Sequence, residues 1–271
     1  MRAALVISII AVCGACPAQK VQFEAAGKTT VLERIKDVPA DDQERAARIK
    51  ALFTEAGCSG SSLQEQPVEG GATPNIICQL RGEGGETVVV GAHYERTSAT
   101  GRPIDNWSGA SLLPALYKSL RDRKRRHNFV FVAFADQGSD LAGAKFFAGH
   151  MSPSELRRTE AMVNLDALGL SPTKVWTSRS DKDLVQALVV MVYALKLPAS
   201  QMGMESTGST DSDPFAYRQI PHITIHSLTQ QNLDGGTTTQ FRPNNYYDTY
   251  RLLCGYLAYL DVILKPRPHS E

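Results

Sequence analysis

Apolar and polar positions divide the chain into short apolar runs separated by stripes of helical period. Residues 88–90 are valines with glycines close on both sides, and Gly91-Ala92 carry the run to His93. Residues 128–135 (NFVFVAFA) are almost wholly apolar, as a strand covered on both faces must be. Residues 161–165, ending in Asp166, and residues 220–226, ending in His226, read the same way, and 174–177 is a shorter strand. Ile49, Leu52, Phe53 and Ala56 recur at helical spacing behind Asp41 as a cap and ahead of Gly57 as a stop. Leu113, Leu116, Tyr117 and Leu120 predict a helix opened at Ser108, and Leu141 starts another. Ser180 with Asp183 resembles a capping box for a helix ending at Leu195 before Pro198. Thr210 to Pro214 opens a short helix, and Leu253, Tyr256, Leu257 and Leu260 mark the closing one. Residues 63–68 and 75–80 read as strands around Gly70-Gly71. Strands that alternate with helices, with interior strands apolar throughout, predict an α/β sandwich on a mostly parallel sheet.

Length and composition narrow the class. The chain has 271 residues, 42% hydrophobic and 21% charged, with a net charge of +1, which gives no support to nucleic-acid binding. Residues 1–18 read as a secretory signal, with Arg2 ahead of an apolar stretch at 4–12 and cleavage after Ala18. Residues 19–39 are a leader without clear period, and 40–271 are one domain. An exported protein is the expectation. Cys16 after Gly14-Ala15 is a weak lipidation signal, because Cys13 stands where an aliphatic residue is usual; membrane attachment enters only through it. Of five cysteines, Cys58, Cys78 and Cys254 lie outside the signal. Cys58 and Cys78 flank the predicted hairpin and are the pair to expect; the alternative is three buried thiols. The run 121–127, with Lys or Arg at five of seven positions, reads as a solvated helix end.

Candidate chemistry gathers at strand ends. His93, Asp136, Asp166 and His226 each close an apolar strand, and Asp105 precedes the helix opened at Ser108. Ligands of open α/β sheets bind outside the carboxyl ends of the strands. One His with two Asp is a donor set for zinc with an open position for water. The competing reading is a surface His and a helix-capping Asp.

An ordered series of motifs is more specific than any of these alone. VVVGAHYE (88–95) resembles a strand ending in His-Tyr-Asp, and IDNWSGAS (104–111) resembles Asp-Asp-Asn-x-Ser-Gly. FVFVAFADQGSDLAG (129–143) resembles Phe-Asp-Gly-Glu-Glu-Leu-Gly-Leu-Leu-Gly, and AMVNLDALG (161–169) resembles Met-Ile-Asn-Leu-Asp-Met-x-Gly. TDSDPFAYRQIPHITI (210–225) resembles Ser-Asp-His-x-Pro-Phe with its Gly-Ile-Pro strand, and NNYYDTY (244–250) resembles His-Thr-x-x-Asp-Thr. Residues 40–265 as a whole resemble the zinc aminopeptidases of metallopeptidase family 28, relatives of glutaminyl cyclases and of the transferrin-receptor ectodomain. The resemblance implies a zinc-exopeptidase-like fold, a three-layer α/β/α sandwich with a mixed, mostly parallel central sheet. It also implies a peptide or peptide-like ligand and a two-zinc site bridged by Asp105, with His93 and Asp166 completing the first zinc and Glu95 behind them.

This chain departs from the pattern at the second zinc. Gly138 and Asn244 stand where its Glu and His ligands belong, and neither replaces them well. Gln137 stands where the general-base Glu belongs, and an amide accepts no proton at neutral pH. One zinc rather than two is therefore expected. Asp136 is the alternative base and Asp140 a further candidate, while His222 or His226 could stand in for the lost His.

Overall fold

The computed structural model describes residues 3–9, 19–36, 38–95, 106–135, 140–202, 208–229 and 240–265. Its first half runs β1 (Ala3–Ile9), β2 (Gln19–Ala25), α1 (Lys28–Lys36), α2 (Asp42–Glu55), β3 (Leu63–Gln66), β4 (Asn75–Leu80), β5 (Thr87–His93), α3 (Trp107–Ala110), α4 (Leu113–Arg121) and β6 (Asn128–Phe134). The second half runs α5 (Ala142–Gly149), α6 (Pro153–Arg158), β7 (Thr159–Asp166), β8 (Thr173–Trp176), α7 (Lys182–Leu195), β9 (Ala199–Met202), α8 (Asp213–Tyr217), β10 (His222–His226) and α9 (Pro243–Ile263).

Eight strands form one sheet in the order β3-β4-β6-β5-β7-β10-β8-β9. Its central strands β6, β5, β7 and β10 are all parallel. The β3-β4 hairpin joins antiparallel on one side, and β8 joins antiparallel on the other. β5 alternates its side chains between two cores: Val88, Val90 and Ala92 pack with Phe53, Leu116, Leu188 and Leu257 of α2, α4, α7 and α9. Val89 faces the opposite way, with Ala144 of α5 and Phe215 of α8. These are the three layers and the mixed, mostly parallel sheet that the motif series implies. All four central strands end on one edge, which carries His93, Asp166 and His226.

Local chemistry sets several boundaries. Asp41 caps α2 by accepting from Glu44 N at 2.8 Å, and Gly57 follows with φ +95. Cys58 and Cys78 form a disulfide between the end of α2 and β4, while Cys254 is a buried thiol. His127 is fully buried at the start of β6, and Asp261 of α9 accepts from its Nδ1 at 3.1 Å and its N at 2.7 Å. Among the described residues no helix is long and apolar enough to cross a membrane.

The leader contains regular structure that its pattern does not announce. β2 buries Val21 and Phe23, pairs with β1, and lies against α9, where Ala26 N donates to the Tyr250 hydroxyl at 3.0 Å. α1 buries only Val31 and Ile35, too few positions to set a period. The cap of α7 is Asp181, which accepts from Asp183 N and Leu184 N, and not Ser180, whose hydroxyl accepts from Thr224 N at 3.2 Å. The basic run is not simply solvated. Arg121 donates to Ala56 O at 2.7 Å, and Arg125 donates to Leu120 O at 2.9 Å and to Arg81 O at 2.7 Å. These guanidiniums close the carbonyl ends of α2 and α4.

Candidate active site

His93 ends β5 and is buried. Its Nδ1–H donates to Asp211 Oδ2 at 3.1 Å, and both side chains are almost wholly sealed, at 3% and 1% exposed. Asp211 lies 118 residues away in the segment before α8. With Nδ1 holding the proton for a carboxylate, Nε2 is the ring nitrogen that presents a lone pair. A carboxylate behind an imidazole in this way is the usual support of a metal-ligating histidine.

Asp166 ends β7 and is half-buried. The last paired step between the strands is Gly91 with Asn164, so the pleat puts His93 and Asp166 side by side on one face two residues later. The turn after Asp166 is tied down on three sides. Ala167 N donates to Asn106 Oδ1 at 3.0 Å, Leu168 N to Ser108 Oγ at 2.9 Å, and Gly169 N to Ser227 Oγ at 3.2 Å. Gly169 has φ +87, and a Cβ there would meet Phe241 Cε2 at 2.4 Å. Arg242 N then donates to Gly169 O at 2.7 Å, tying the turn to the start of α9.

Asn106 caps α3 and connects the two strand ends. Its Oδ1 accepts from Gly109 N at 3.1 Å as well as from Ala167 N, and its Nδ2 donates to Leu165 O at 2.8 Å. Two backbone donors on one atom and a carbonyl on the other fix the amide orientation. Nδ2 also touches His93 Nδ1 at 3.4 Å, a packing contact once Nδ1 carries its own proton. The helix-capping role that the residues allowed Asp105 thus belongs to Asn106. Beneath the edge, Asn164 Nδ2 donates to Thr210 Oγ1 at 2.6 Å, and Ser212 Oγ lies 2.9 Å from Thr224 Oγ1.

Other expected residues are placed as follows. Glu95 is buried just beyond β5. The preceding Tyr94 O accepts from Arg45 Nη1 at 2.9 Å, a guanidinium buried in α2 and 5.9 Å from the centroid of the Trp107 ring. Asn244 is exposed in the first turn of α9, where it accepts from Lys28 Nζ. Asp140 faces solvent at 81% exposed and pairs with Lys145. His222 starts β10, far from the carboxyl edge, and its Nδ1–H donates to Ile220 O at 3.1 Å. His226 Nδ1 accepts from Leu228 N–H at 3.1 Å, and burial, followed by the charge of Lys174, takes this imidazole down to about 3. Asp105, Asp136, Gln137 and Gly138 lie outside the described residues.

Among the described residues no three His, Cys, Asp or Glu side chains group as a metal site. The described part nevertheless fits zinc in its donor chemistry: an oriented imidazole beside a carboxylate, with a third ligand expected from Asp105 next to Asn106. The residues that sequence reasoning missed are Asp211 and Asn106. Each lay inside a motif, but nothing local indicates partners 118 and 61 positions away. A cavity of about 650 Å³ lies elsewhere, at the amino ends of the parallel strands, where Thr87, Asn128 and Thr159 line it.

Comparison with known proteins gives a consistent result. The model of peptidase family M28 matches residues 75–251. Aminopeptidase YwaD of Bacillus subtilis (strain 168) is 31% identical over 86 residues, covering 32% of this chain and 19% of that protein. An uncharacterized protein of Escherichia coli (strain K12), YfbL, is 27% identical over 143 residues, 48% of this chain and 43% of its own length. This chain thus matches less than half the length of these curated relatives. The Legionella pneumophila LapA aminopeptidase superposes with a TM-score of 0.72 at 15% identity, covering 88% of this chain and 71% of that one. The Macrostomum lignano glutaminyl cyclase gives 0.68 at 17%, covering 89% and 91%.

Proposed function

Because this chain belongs to peptidase family M28, we propose that it is an exported aminopeptidase-type hydrolase that holds one zinc and removes amino-terminal residues slowly. The observation that carries this reading is the buried His93–Asp211 pair at the carboxyl edge of the sheet, beside Asp166. His93, Asp105 and Asp166 are the ligands. Bound there, zinc supplies Lewis acidity toward a peptide carbonyl. Asp211 keeps the proton of His93 on Nδ1, and Asn106 holds the ends of β7 and α3 together. Gln137 accepts no proton, and loss of a general base costs about 100- to 10,000-fold in rate. Asp136, one residue earlier, is the carboxylate left for that role. Gly138 and Asn244 remove the ligands of a second metal, which is why one ion is proposed. Export is supported by the signal-like residues 1–18 and by the Cys58–Cys78 disulfide, which suits an oxidising compartment. Lipid at Cys16 would attach the chain to a membrane.

A second reading, a non-catalytic binding module with a structural zinc, is favoured by Gln137 and Gly138. Hydrolysis of amino-acid p-nitroanilides with added zinc decides between them. The native chain should turn over weakly, Gln137→Glu should be faster, and His93→Ala should abolish both rates. No turnover by either protein, with zinc bound, would leave the binding module.

A further inference from the structure

The cavity of about 650 Å³ at the amino ends of the parallel strands has no part in hydrolysis. It reaches Thr87 at the start of β5, whereas His93 ends that strand, and six residues of strand put about 20 Å between them. Its size suits a small molecule. One face of the sheet makes the floor, with Ile77 of β4, Val89 of β5 and Val130 of β6. Val130 pairs with Val89 on one side and with Gln79, two residues beyond Ile77, on the other. Phe147 and Met151, at the end of α5 and just after it, form an apolar wall and are half-buried, as Val130 is.

The end nearest the strand starts is cationic. Arg158 closes α6, and the next residue, Thr159, pairs with Thr87, two positions before Val89. A Cβ at Gly85 would meet Arg158 Nη1 at 2.6 Å and Cζ at 3.3 Å. The guanidinium therefore lies over the 82–85 turn, where both residues line the cavity, and only the missing side chain of Gly85 lets it do so. Among the described residues the guanidiniums of Arg158 and of Arg81, which also lines the cavity, have no hydrogen-bond or ion-pair partner. Glu155 is the only acid among the described lining residues, and it accepts from Ser152 N at 2.7 Å in the capping box of α6. Glu86, next to the turn, accepts from Gly85 N at 3.2 Å. Two uncommitted guanidiniums thus share the cavity with one committed carboxylate and an apolar floor.

We propose that this cavity binds a small amphipathic anion, a carboxylate or phosphate carried on an apolar chain. Arg158 holds the oxyanion, since a guanidinium fork fits either head, and the chain lies over Val89, Val130 and Phe147. The site needs neither zinc nor a peptide.

The test is a titration of the full-length protein, labelled with [¹³C-methyl]methionine, with octanoate, octyl phosphate, 1-octanol and inorganic phosphate. The chain has six methionines, and Met151→Leu assigns the resonance of interest. The Met151 methyl should move saturably with octanoate or octyl phosphate, and whichever binds tighter identifies the head as carboxylate or phosphate. 1-Octanol, which lacks the charge, and inorganic phosphate, which lacks the chain, should each bind at least about tenfold more weakly. Arg158→Gln should weaken the anion about tenfold. Arg157→Gln removes the adjacent exposed charge, which does not line the cavity, and should change affinity by less than about twofold. Gly85→Ala displaces the guanidinium without removing its charge and should weaken binding in the same sense, which keeps the comparison if Arg158→Gln fails to fold. Octanol or inorganic phosphate binding as tightly as the amphiphiles, equal losses in Arg157→Gln and Arg158→Gln, or a Met151 resonance that no probe moves overturns the proposal.

Discussion

Replacing Asp211 tests the site most directly, because its role depends on geometry alone. In Asp211→Ala the His93 Nδ1–H loses its acceptor at 3.1 Å, in surroundings where the two side chains are 3% and 1% exposed. Water has no route to replace the lost oxygen without rearrangement, so the ring is released from its tautomer and orientation. Loss of the carboxylate behind a ligating histidine costs about 10- to 100-fold in metal affinity, or about 1.4–2.7 kcal/mol. Asp211→Ala should approach the upper figure. Asp211→Asn keeps an oxygen in place without its charge and should fall near the lower one. The assay is competition for zinc against a chromophoric chelator, with circular dichroism to confirm that each variant is folded. A double-mutant cycle adds the decisive comparison: His93→Ala with Asp211→Ala should bind no worse than His93→Ala alone, since one residue acts through the other. An Asp211→Ala protein that holds zinc within twofold of the native chain would refute the reasoning, as would additive losses in the cycle.

Four further outcomes are expected. Burial alone would raise the Asp261 carboxyl, but hydrogen bonds from the His127 ring and from the amides of His127 and Arg126 hold it below its ordinary value. A depressed carboxyl stabilises the fold above its unfolded pKa of about 4 and loses that contribution as pH falls through the folded value. Asp261→Asn should therefore lower the urea midpoint at neutral pH, and the gap from the native protein should close below about pH 4. Reducing Cys58–Cys78, whose sequence separation is 20, should destabilise by about 3 kcal/mol from loop-closure entropy, a fall of roughly 5–10 °C in Tm by calorimetry. A Cβ at Gly109 would sit 2.7 Å from Leu165 O and 2.8 Å from both terminal atoms of Asn106, so Gly109→Ala should cost about 1–3 kcal/mol by overpacking and release zinc. Gly27→Ala, with nothing within 4 Å, should stay within about 0.5 kcal/mol of the native chain in the same denaturation.

The central sheet was legible because β5, β6, β7 and β10 are largely buried, which leaves apolar runs in β5 and β6 and runs broken by Asn164 in β7 and by Thr224 in β10. The elements that escaped lack that cause. Among their described side chains, β2 and α1 together bury only Val21, Phe23, Val31 and Ile35. α6 buries none of its residues, though its capping box, Ser152 with Glu155, is written plainly in the chain. β9 is four residues at the sheet edge. At the site, His93 and Asp166 were readable because each closes a buried strand. Asp211 and Asn106 were not, because their work is done on partners that only folding brings near: Asp211 on His93 across 118 positions, Asn106 on Ala167 across 61. The Ser180 misreading has a similar source. A hydroxyl three residues ahead of a carboxylate fits the capping pattern, but the hydroxyl is taken by a strand 44 positions away.

The contact between β2 and α9 bears on when this molecule can fold. Ala26 bonds both Tyr250 and Tyr247, partners 224 and 221 positions later. Arg242, on the threshold of the same helix, secures the turn behind Asp166. A chain synthesised from its amino end thus has the strand edge, the turn, His93 and Asp166 in hand long before the helix that locks them. Closure by such distant contacts is slow, because the loop entropy must be overcome before they form. Until residue 263 has emerged, the sheet lacks the cover that α9 gives to its β2 side.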